Sequence, residues 1–408
     1  MSKTSWPMKT LGEVCDFVRG VTYDKADARS ETKSGFIPLL RATNITEKGL
    51  LQEDFVFIPS HGVRADQKLM SGDALITIAS GSASVVGRSV LVEDPGEMTF
   101  GAFCGVLRPG PKILPRYLSH FMSSRSVRTA WSEAAQGTNI NNLKRDDILQ
   151  TECFLPPLDE QKRIIALLDH ATARVTELTS CYEQARTHTN NIYISALTDL
   201  FEKCTVDVSA KQLSIGEICE IGDGNHSSKY PKSSEFVANG VPFIRANNIS
   251  NGKVSAKDMR FISVKKHNEL KKGHLRTGDV LITNRGEIGS LAIVGSEFDG
   301  SNLNSQIAWL RVSDMVANRY LYYFLGSPNA KAQFFQGTTG AALQQLTISQ
   351  LRKIRVPIVP LNTQKSLIDH LDKLKRKSSE MVSAYDVKLT AAKNLRQSIL
   401  ESAFAGDL

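Results

Sequence analysis

Apolar positions along the chain follow two different spacings. Residues 1–158 and 205–361 contain short runs rich in Val, Ile and Leu, such as ALITIA and VLITN, separated by Gly, Pro, Asn and Asp. This pattern is typical of β-strands joined by turns, with a few helices between them. In residues 159–204 and 362–408 the apolar residues instead recur every three or four positions, which is the spacing of an α-helix. The sequence therefore predicts an α+β chain of two β-rich domains and two long helices.

Each long helix is predicted to carry a narrow apolar seam. Asp159 and Asn362 follow prolines and are placed to cap the first turn of each helix. A narrow seam favours packing against a second helix, as in a coiled coil. The alternative is that each helix packs on its own globular domain, although such helices usually show a wider apolar face. The predicted seam residues are Ile164, Leu168, Val175, Leu178, Tyr182, Leu367, Leu371, Leu374, Met381 and Tyr385.

The same sequence phrases occur twice in the chain. PLLRATNIT at 38–46 recurs as PFIRANNIS at 242–250, and SGDALIT at 71–77 recurs as TGDVLIT at 277–283. A nearly constant interval between such pairs predicts two copies of one unit of roughly 200 residues, a duplicated domain rather than a solenoid repeat. If an approximate two-fold axis relates the copies, the two helices run antiparallel. A helix of about 40 residues is about 60 Å long, so we expect a rod with one globular domain at each end.

Composition narrows the protein class. The 408 residues are 41% hydrophobic, which is enough for two or three domains. The sequence has no apolar run of membrane-spanning length and no secretory signal pattern, so we expect a cytoplasmic protein without membrane contact. The six cysteines are scattered and lack the spacing of zinc ligands. We interpret them as small buried side chains and expect no metal site.

Positive charge is concentrated in the β-rich segments. The net charge is +8, and the two helical segments carry −2 and +2. Two basic domains suit contacts with a polyanion, because neutralising phosphates supplies most non-specific affinity for nucleic acid. Many proteins of this charge bind no nucleic acid, so the location of the charge is only supporting evidence.

Catalytic motifs are missing from the sequence. It contains no GxxxxGK[ST] loop, no GxGxxG after a strand, no HExxH and no GxSxG. The double proline in LPPL lacks the neighbours that an amino-methyltransferase needs, and it is better interpreted as a helix breaker. The sequence therefore favours a binding protein. An enzyme with an unrecognised active site and a coiled-coil scaffold that binds only proteins are the alternatives.

Polar side chains in the predicted turns suit the reading of base edges. Arg can donate two hydrogen bonds to guanine, and Asn or Gln can pair with adenine. The alternative is that each such residue supports its own turn. RAxNI, which both copies retain, fits that alternative, whereas Asn284-Arg285-Gly286 differs from Ala79-Ser80-Gly81 and fits recognition. The candidate DNA-contacting residues are Arg41, Asn44, Ser80, Gln136, Thr138, Asn139, Asn142, His226, Arg245, Asn247, Asn284, Arg285, Gln336, Thr338 and Gln345.

Over its whole length the chain resembles the specificity subunits of type I restriction-modification systems. The resemblance rests on proline breakers before an EQ or TQ helix start, the GD-LIT strands, a DG-H turn at 223–226, and the closing LESAFAGDL. The first copy departs from the pattern, with Arg19-Gly20-Val21 in place of the DG-H turn and LTDLFEK at its helix end.

The resemblance implies a function and partners. Each β-rich domain would read one half of a bipartite double-stranded DNA target, and the helices would set the gap between the halves. Two modification subunits, each binding S-adenosylmethionine and methylating adenine at N6, would dock on this chain. Restriction subunits that use ATP for translocation and cleavage would join them. The chain itself would bind no cofactor and catalyse no reaction, and the partner would extrude the adenine.

Overall fold

The computed structural model describes residues 6–47, 49–136, 140–224, 230–334 and 345–407. Two compact units are present: unit 1 contains residues 1–183 and 386–408, and unit 2 contains residues 184–385. Each long helix is divided between the two units, so that one part of it belongs to unit 1 and the other part to unit 2.

Unit 1 is built on an antiparallel four-stranded sheet of order β2-β11-β7-β9 and a three-stranded sheet of order β10-β3-β6. Its strands are β1 (Met8–Thr10), β2 (Cys15–Arg19), β3 (Phe36–Leu40), β4 (Ile45–Thr46), β5 (Gly49–Leu50), β6 (Val56–Pro59), β7 (Ala74–Thr77), β8 (Ala79–Ser80), β9 (Ser89–Leu91), β10 (Thr99–Phe100), β11 (Cys104–Pro109), β12 (Asn141–Asn142) and β13 (Glu152–Phe154). Its helices are α1 (Leu11–Val14), α2 (Pro115–Met122), α3 (Arg125–Ala134), α4 (Arg145–Leu149) and the first part of α5 (Leu158–Val206).

Unit 2 is built on a six-stranded sheet of order β15-β24-β21-β22-β19-β18 and a four-stranded sheet of order β16-β20-β17-β23. Its strands are β14 (Lys211–Ser214), β15 (Cys219–Asp223), β16 (Phe236–Val237), β17 (Val241–Ile244), β18 (Ile249–Ser250), β19 (Gly252–Val254), β20 (Arg260–Ile262), β21 (Val280–Thr283), β22 (Leu291–Ile293), β23 (Asn302–Leu303), β24 (Ile307–Val312) and β25 (Arg355–Ile358). Its helices are α6 (Ile215–Ile218), α7 (Val264–Glu269), α8 (Asn318–Gly326), α9 (Pro328–Phe334), α10 (Ile348–Lys353) and the first part of α11 (Leu361–Ala405).

The GD-LIT phrases form the buried central strands of the two units. Every residue of β7 and of β21 is buried, because each strand pairs on both edges and is covered by helices or turns. β7 lies between β11 and β9, and β21 lies between β24 and β22. The repeated phrase therefore marks the same structural position in both copies.

The two long helices begin one residue before the predicted positions. α5 has 49 residues and α11 has 45. In unit 1 the core contains Ile164 and Leu168 from the start of α5 together with Leu400 and Ala403 from the end of α11. Further along, the Lys388 ammonium lies 5.4 Å from the centre of the Tyr182 ring. Within unit 1 the two helix segments thus run antiparallel.

The last turns of the long helices contribute an aromatic anchor to each core. In unit 1 the ring of Phe404 lies edge-on to Tyr117 and Phe121 of α2, with centroids 5.2 and 5.4 Å apart. In unit 2 the ring of Phe201 packs in the same way, at 5.4 and 5.3 Å from Tyr320 and Phe324 of α8. Edge-on aromatic pairs add to the stabilisation from burial. Each core is therefore completed by the end of the opposite copy's helix.

Burial along the predicted seams is uneven. Ile164, Leu168, Val175 and Leu371 are buried, whereas the side chains of Leu178 and Met381 are 45% and 48% exposed. The remaining four predicted seam residues, Tyr182, Leu367, Leu374 and Tyr385, are half-buried. Near the starts of the helices the seam residues Ile164, Leu168 and Leu371 lie in the globular cores, which is the alternative of packing on the helix's own domain. Towards the middle of the helices Leu178 and Met381 remain accessible.

The cysteines are buried except for Cys181, which is exposed on α5. Burial raises the pKa of Cys104 and of Cys219 to about 12, so these thiols stay protonated at neutral pH. The interpretation of all six as buried side chains is thus wrong for Cys181. No helix in the described part of the chain is long and apolar enough to span a membrane. The described residues contain no cluster of metal-ligating side chains.

Candidate nucleic-acid interface

In unit 1 two stretches that lie far apart in sequence meet beyond the end of the central strand. The short strand β8 follows β7, and it pairs with β12 so that Ser80 lies opposite Asn141 and Ala79 opposite Asn142. Asn141 Nδ2 donates to the backbone oxygens of Ser80 and Gly81, both at 3.4 Å. The Ser80 side chain is half-buried and Asn142 is exposed. Two of the predicted DNA-contacting residues are thereby brought to one edge of the unit.

In unit 2 the equivalent stretches meet in the same way, with different side chains. Arg285 follows β21 and forms an isolated antiparallel bridge with Gln345. The Leu346 amide donates to Asn284 O at 2.9 Å. In the amide orientation that satisfies both side chains, Gln345 Oε1 accepts from Arg285 Nη2 at 3.1 Å and from Nε at 3.3 Å. The Gln345 amide thus orients the half-buried Arg285 guanidinium.

Asn284 has a different environment from its neighbour. Its side chain is 1% exposed, so it lies inside the unit. Its Oδ1 atom is buried without a hydrogen-bond partner in the described structure. Burial removes Asn284 from the surface that a base edge would contact, which corrects the expectation that it reads DNA directly.

The RAxNI turns are scaffold elements in both copies. Asn44 is 1% exposed; its Oδ1 accepts from the Arg41 amide at 2.8 Å, and its Nδ2 donates to Leu51 O and Glu53 O at 2.9 and 2.8 Å. With both ends of its amide occupied, Asn44 has no hydrogen-bonding group left for a base. This corrects its inclusion among the DNA-contacting residues.

The second copy repeats this turn. Asn248 Oδ1 accepts from the Arg245 amide at 3.0 Å, and its Nδ2 donates to two backbone oxygens at 3.2 and 2.9 Å. The preceding arginines also support the backbone: Arg41 Nη2 donates to Asp54 O at 2.9 Å and Arg245 Nη2 donates to Asp258 O at 2.7 Å. Each of these arginines thus has one side of its guanidinium engaged internally.

The other candidates occupy varied positions. Gln136 lies exposed just after α3, and Asn247 is exposed in its turn, next to buried Asn248. Both remain accessible to a ligand. The candidates that lie outside the described residues are Thr138, Asn139, His226, Gln336 and Thr338.

Two buried aspartates that sequence reasoning passed over fix the strands that lead to the interface. Asp73 and Asp279 are each 1% exposed, and each accepts two hydrogen bonds of 2.8 Å from an arginine, Arg108 and Arg311 respectively. A paired, hydrogen-bonded charge is the form in which burial is tolerated. The signal was present in the sequence, since both copies contain GD before the LIT strand.

Two buried glutamines fix the start of the long helices. Gln161 Oε1 accepts from the Leu114 amide at 2.8 Å, and its Nε2 donates to two backbone oxygens at 2.9 Å. Gln364 makes the same three bonds in unit 2, to Ala317, Met315 and Val359. These bonds tie each helix start to the loop before α2 or α8. The repeated Q of PLDEQ and PLNTQ was their signal in the sequence.

The chain matches the model of a family described as the type I restriction modification DNA specificity domain, over residues 3–184 and 208–384. It is 30% identical to the EcoKI specificity subunit of a type I restriction enzyme from Escherichia coli K12, and the match covers 99% of this chain and 89% of the relative. It is 26% identical to the StySPI specificity subunit from Salmonella potsdam, with the same coverage.

Two solved structures share the fold. One belongs to a study of complex assembly and conformational transition of the type I R-M system; it has a TM-score of 0.78 at 22% identity, and all of both chains is covered. The other is the HsdS subunit from Thermoanaerobacter tengcongensis, with a TM-score of 0.53 at 22% identity over 99% of this chain and 98% of that chain. The sequence resemblance is confirmed by these comparisons.

Proposed function

The chain belongs to the type I restriction-modification DNA specificity family, and on that premise we propose that units 1 and 2 each read one half of a two-part duplex target. It is a DNA sequence-recognition subunit, and catalysis resides in its partner subunits. The alternatives of a protein-only scaffold and of an unrecognised enzyme are not favoured by its family.

The surface that we propose to contact the bases is identified by one observation. In both units the stretch after the central strand meets a second stretch from about sixty residues further on, and polar side chains of both lie together. The supporting framework is the same in the two copies, whereas the side chains that meet there differ. Two half-sites of different sequence need this combination of a constant scaffold and variable contacts.

The chemistry of each pair suits a different base. In unit 2 the Arg285 guanidinium, oriented by Gln345, suits the O6 and N7 acceptors of guanine. In unit 1 the exposed Asn142 amide beside Ser80 suits the N6 and N7 edge of adenine. Gln136 and Asn247 lie on accessible turns and are proposed as additional contacts, as are the candidates outside the described residues.

The long helices are proposed to set the unspecified gap between the half-sites. Inserting four residues near Tyr182 and four near Tyr385 lengthens each helix by about 6 Å. The gap should then grow by one or two base pairs, at about 3.4 Å each. A folded variant that keeps the original gap would show that the helices do not determine it.

The partners follow from the family. Specificity subunits of this kind act on DNA together with methyltransferase and restriction subunits. We propose that S-adenosylmethionine and ATP are bound by those partners and that the complex acts in the cytoplasm, where it meets chromosomal DNA.

The function is tested by mapping N6-methyladenine by single-molecule sequencing in cells that carry the partner methyltransferase with or without this chain. We expect one split motif with a fixed gap that is methylated only when the chain is present. Methylation that is independent of the chain, or a motif without a gap, would contradict the proposal. The Arg285→Ala variant should relax only one half of the motif.

A further inference from the structure

Unit 1 contains a cavity of about 950 Å³ bounded by β9, α2, α3, α5 and the last part of α11. Six cationic side chains line it, but only three carboxylates. The cationic residues are Arg88, Arg116, Arg125, Arg128, Lys393 and Arg396. A cavity of this size is large enough for a nucleotide.

In the described residues, the carboxylates that line the cavity form ion pairs with two of these cations, and the Glu47 charge also attracts Arg128 and Arg396 from further away. Glu93 Oε1 lies 2.7 Å from Arg116 Nη1, and Glu47 Oε1 lies 3.8 Å from Arg88 Nη2. Arg125 and Arg128 instead donate to the uncharged oxygens of Asn394 and Ser84, at 3.1 and 3.2 Å. Their positive charges therefore have no ion-pair partner in the described part of unit 1.

Two polar atoms of the cavity residues are buried without a hydrogen-bond partner in the described structure. They are Arg128 Nη1 and Gln397 Oε1. Burial also lowers the pKa of the Arg128 guanidinium, and the nearby Arg88 charge lowers it further. Burial likewise lowers the pKa of Arg396. An anion in the cavity would accept the missing hydrogen bond from Arg128 Nη1 and would offset the unfavourable desolvation of these cations.

The second copy shows which features of this cavity are particular to unit 1. The ion pair between Arg116 of α2 and Asp169 of α5 is repeated between Arg319 of α8 and Asp372 of α11, which fixes the alignment of the two copies. At the positions that face the cavity the copies differ. The equivalent pairs are Ser119 and Tyr322, His120 and Tyr323, Thr172 and Lys375, and Arg396 and Tyr193.

Aromatic rings occupy this place in unit 2. The Lys375 ammonium lies 4.6 Å from the centre of the Tyr322 ring and bonds to its hydroxyl. The rings of Tyr322 and Tyr323 pack edge to face with centroids 5.3 Å apart. Tyr193 packs close by, and burial raises its pKa to about 12. Unit 1 thus has Ser119, His120 and Arg396 where unit 2 has three tyrosines, although the surrounding frame is the same.

We propose that the basic cavity of unit 1 binds the phosphate groups of an anionic ligand. Arginine suits this task because its planar guanidinium donates paired hydrogen bonds to phosphate oxygens. The phosphates belong either to a free polyphosphate, such as that of a nucleotide, or to the backbone of a nucleic acid strand. Phosphate binding in this cavity is independent of which bases the two units read.

The test is calorimetric titration of the full chain with sodium tripolyphosphate, with and without duplex DNA carrying the methylated motif. We expect one site per chain. Arg128→Ala with Arg396→Ala should weaken tripolyphosphate binding at least tenfold. Ser119→Tyr with Arg396→Tyr introduces two of the three tyrosines of unit 2 and should abolish tripolyphosphate binding. The matched control, Arg64→Ala with Lys68→Ala, removes two charges of unit 1 outside the cavity and should bind like the unaltered chain.

The outcomes separate the two sources of phosphate. Competition between tripolyphosphate and duplex would identify the DNA backbone as the ligand, whereas simultaneous binding would identify a free polyphosphate. The proposal would be overturned if the unaltered chain did not bind tripolyphosphate. It would also be overturned if the variant Ser119→Tyr with Arg396→Tyr bound tripolyphosphate equally well while its circular dichroism spectrum was unchanged. Methylation mapping of the same variants keeps a failure here distinguishable from a failure of the proposed function.

Discussion

Units 1 and 2 agree in their buried polar contacts and differ in their accessible side chains. Asn44 and Asn248 make equivalent sets of three side-chain hydrogen bonds, and Asp73 and Asp279 each bind the equivalent arginine of their own unit. Beyond the central strand, however, unit 1 has Ala79 opposite Asn142 where unit 2 has Arg285 opposite Gln345. A buried polar group must keep its partners or lose stability, whereas an accessible one is free to change with the ligand. The buried hydrogen-bonded framework is therefore the same in the two copies, whereas the accessible side chains differ.

The largest expected effect comes from removing a buried carboxylate. Asp279→Ala removes the buried partner of the Arg311 guanidinium and leaves it only the exposed Glu220 carboxylate at 3.7 Å among the described residues. Breaking such a buried pair costs about 3 kcal/mol. When urea unfolding is followed by circular dichroism, the midpoint of the unit 2 transition should move to a lower urea concentration. Asp73→Ala should shift the transition of unit 1 instead. Glu97→Ala is the control, because Glu97 is 87% exposed. Equal shifts for all three variants would contradict the shared role of the two aspartates.

The next largest loss of stability is expected from replacing the buried asparagine of a RAxNI turn. Asn248→Ala removes three side-chain hydrogen bonds and leaves backbone groups unpaired, which should cost about 2 kcal/mol of unfolding free energy. Asn247→Ala changes the neighbouring exposed amide and should leave stability within about 0.5 kcal/mol of the unaltered chain. If Asn247→Ala destabilised the chain as much as Asn248→Ala, burial would not be what distinguishes the two residues.

Changing an accessible contact should alter recognition and not stability. Arg285→Ala should cost about 1–3 kcal/mol of discrimination at one base pair in the half-site read by unit 2. Fluorescence anisotropy of the reconstituted methyltransferase complex, measured on duplexes that vary one half-site at a time, gives this value. Ser80→Ala should affect only the other half-site. Loss of discrimination in both halves after a single change would show that the units do not read separately.

The smallest effects are expected where the predicted seam is exposed. Leu178→Ser should change the free energy of unfolding by no more than about 0.5 kcal/mol, because this position is already accessible. Leu168→Ala, in the core of unit 1, should cost about 2–5 kcal/mol because it leaves a cavity. A large destabilisation by Leu178→Ser in the absence of partners would show that the middle of the helix is covered after all.

The sequence by itself determined the class of each segment, the duplication and the ends of the long helices. Those features depend on residue spacing and on local punctuation, as at Pro157 and Pro360, where breakers precede helices that begin one residue later. Spacing acts over a few residues, so it can be read directly from the chain.

Only the tertiary structure decided which polar residues are accessible and which are structural. Asn247 and Asn248 are adjacent and identical in type, yet one is exposed and the other has no exposed surface. The pairing of Ser80 with Asn141, the Phe404 anchor and the basic cavity likewise join residues far apart in sequence. The physical reason is that burial and hydrogen bonding depend on what packs against a side chain, and those neighbours come from distant parts of the chain.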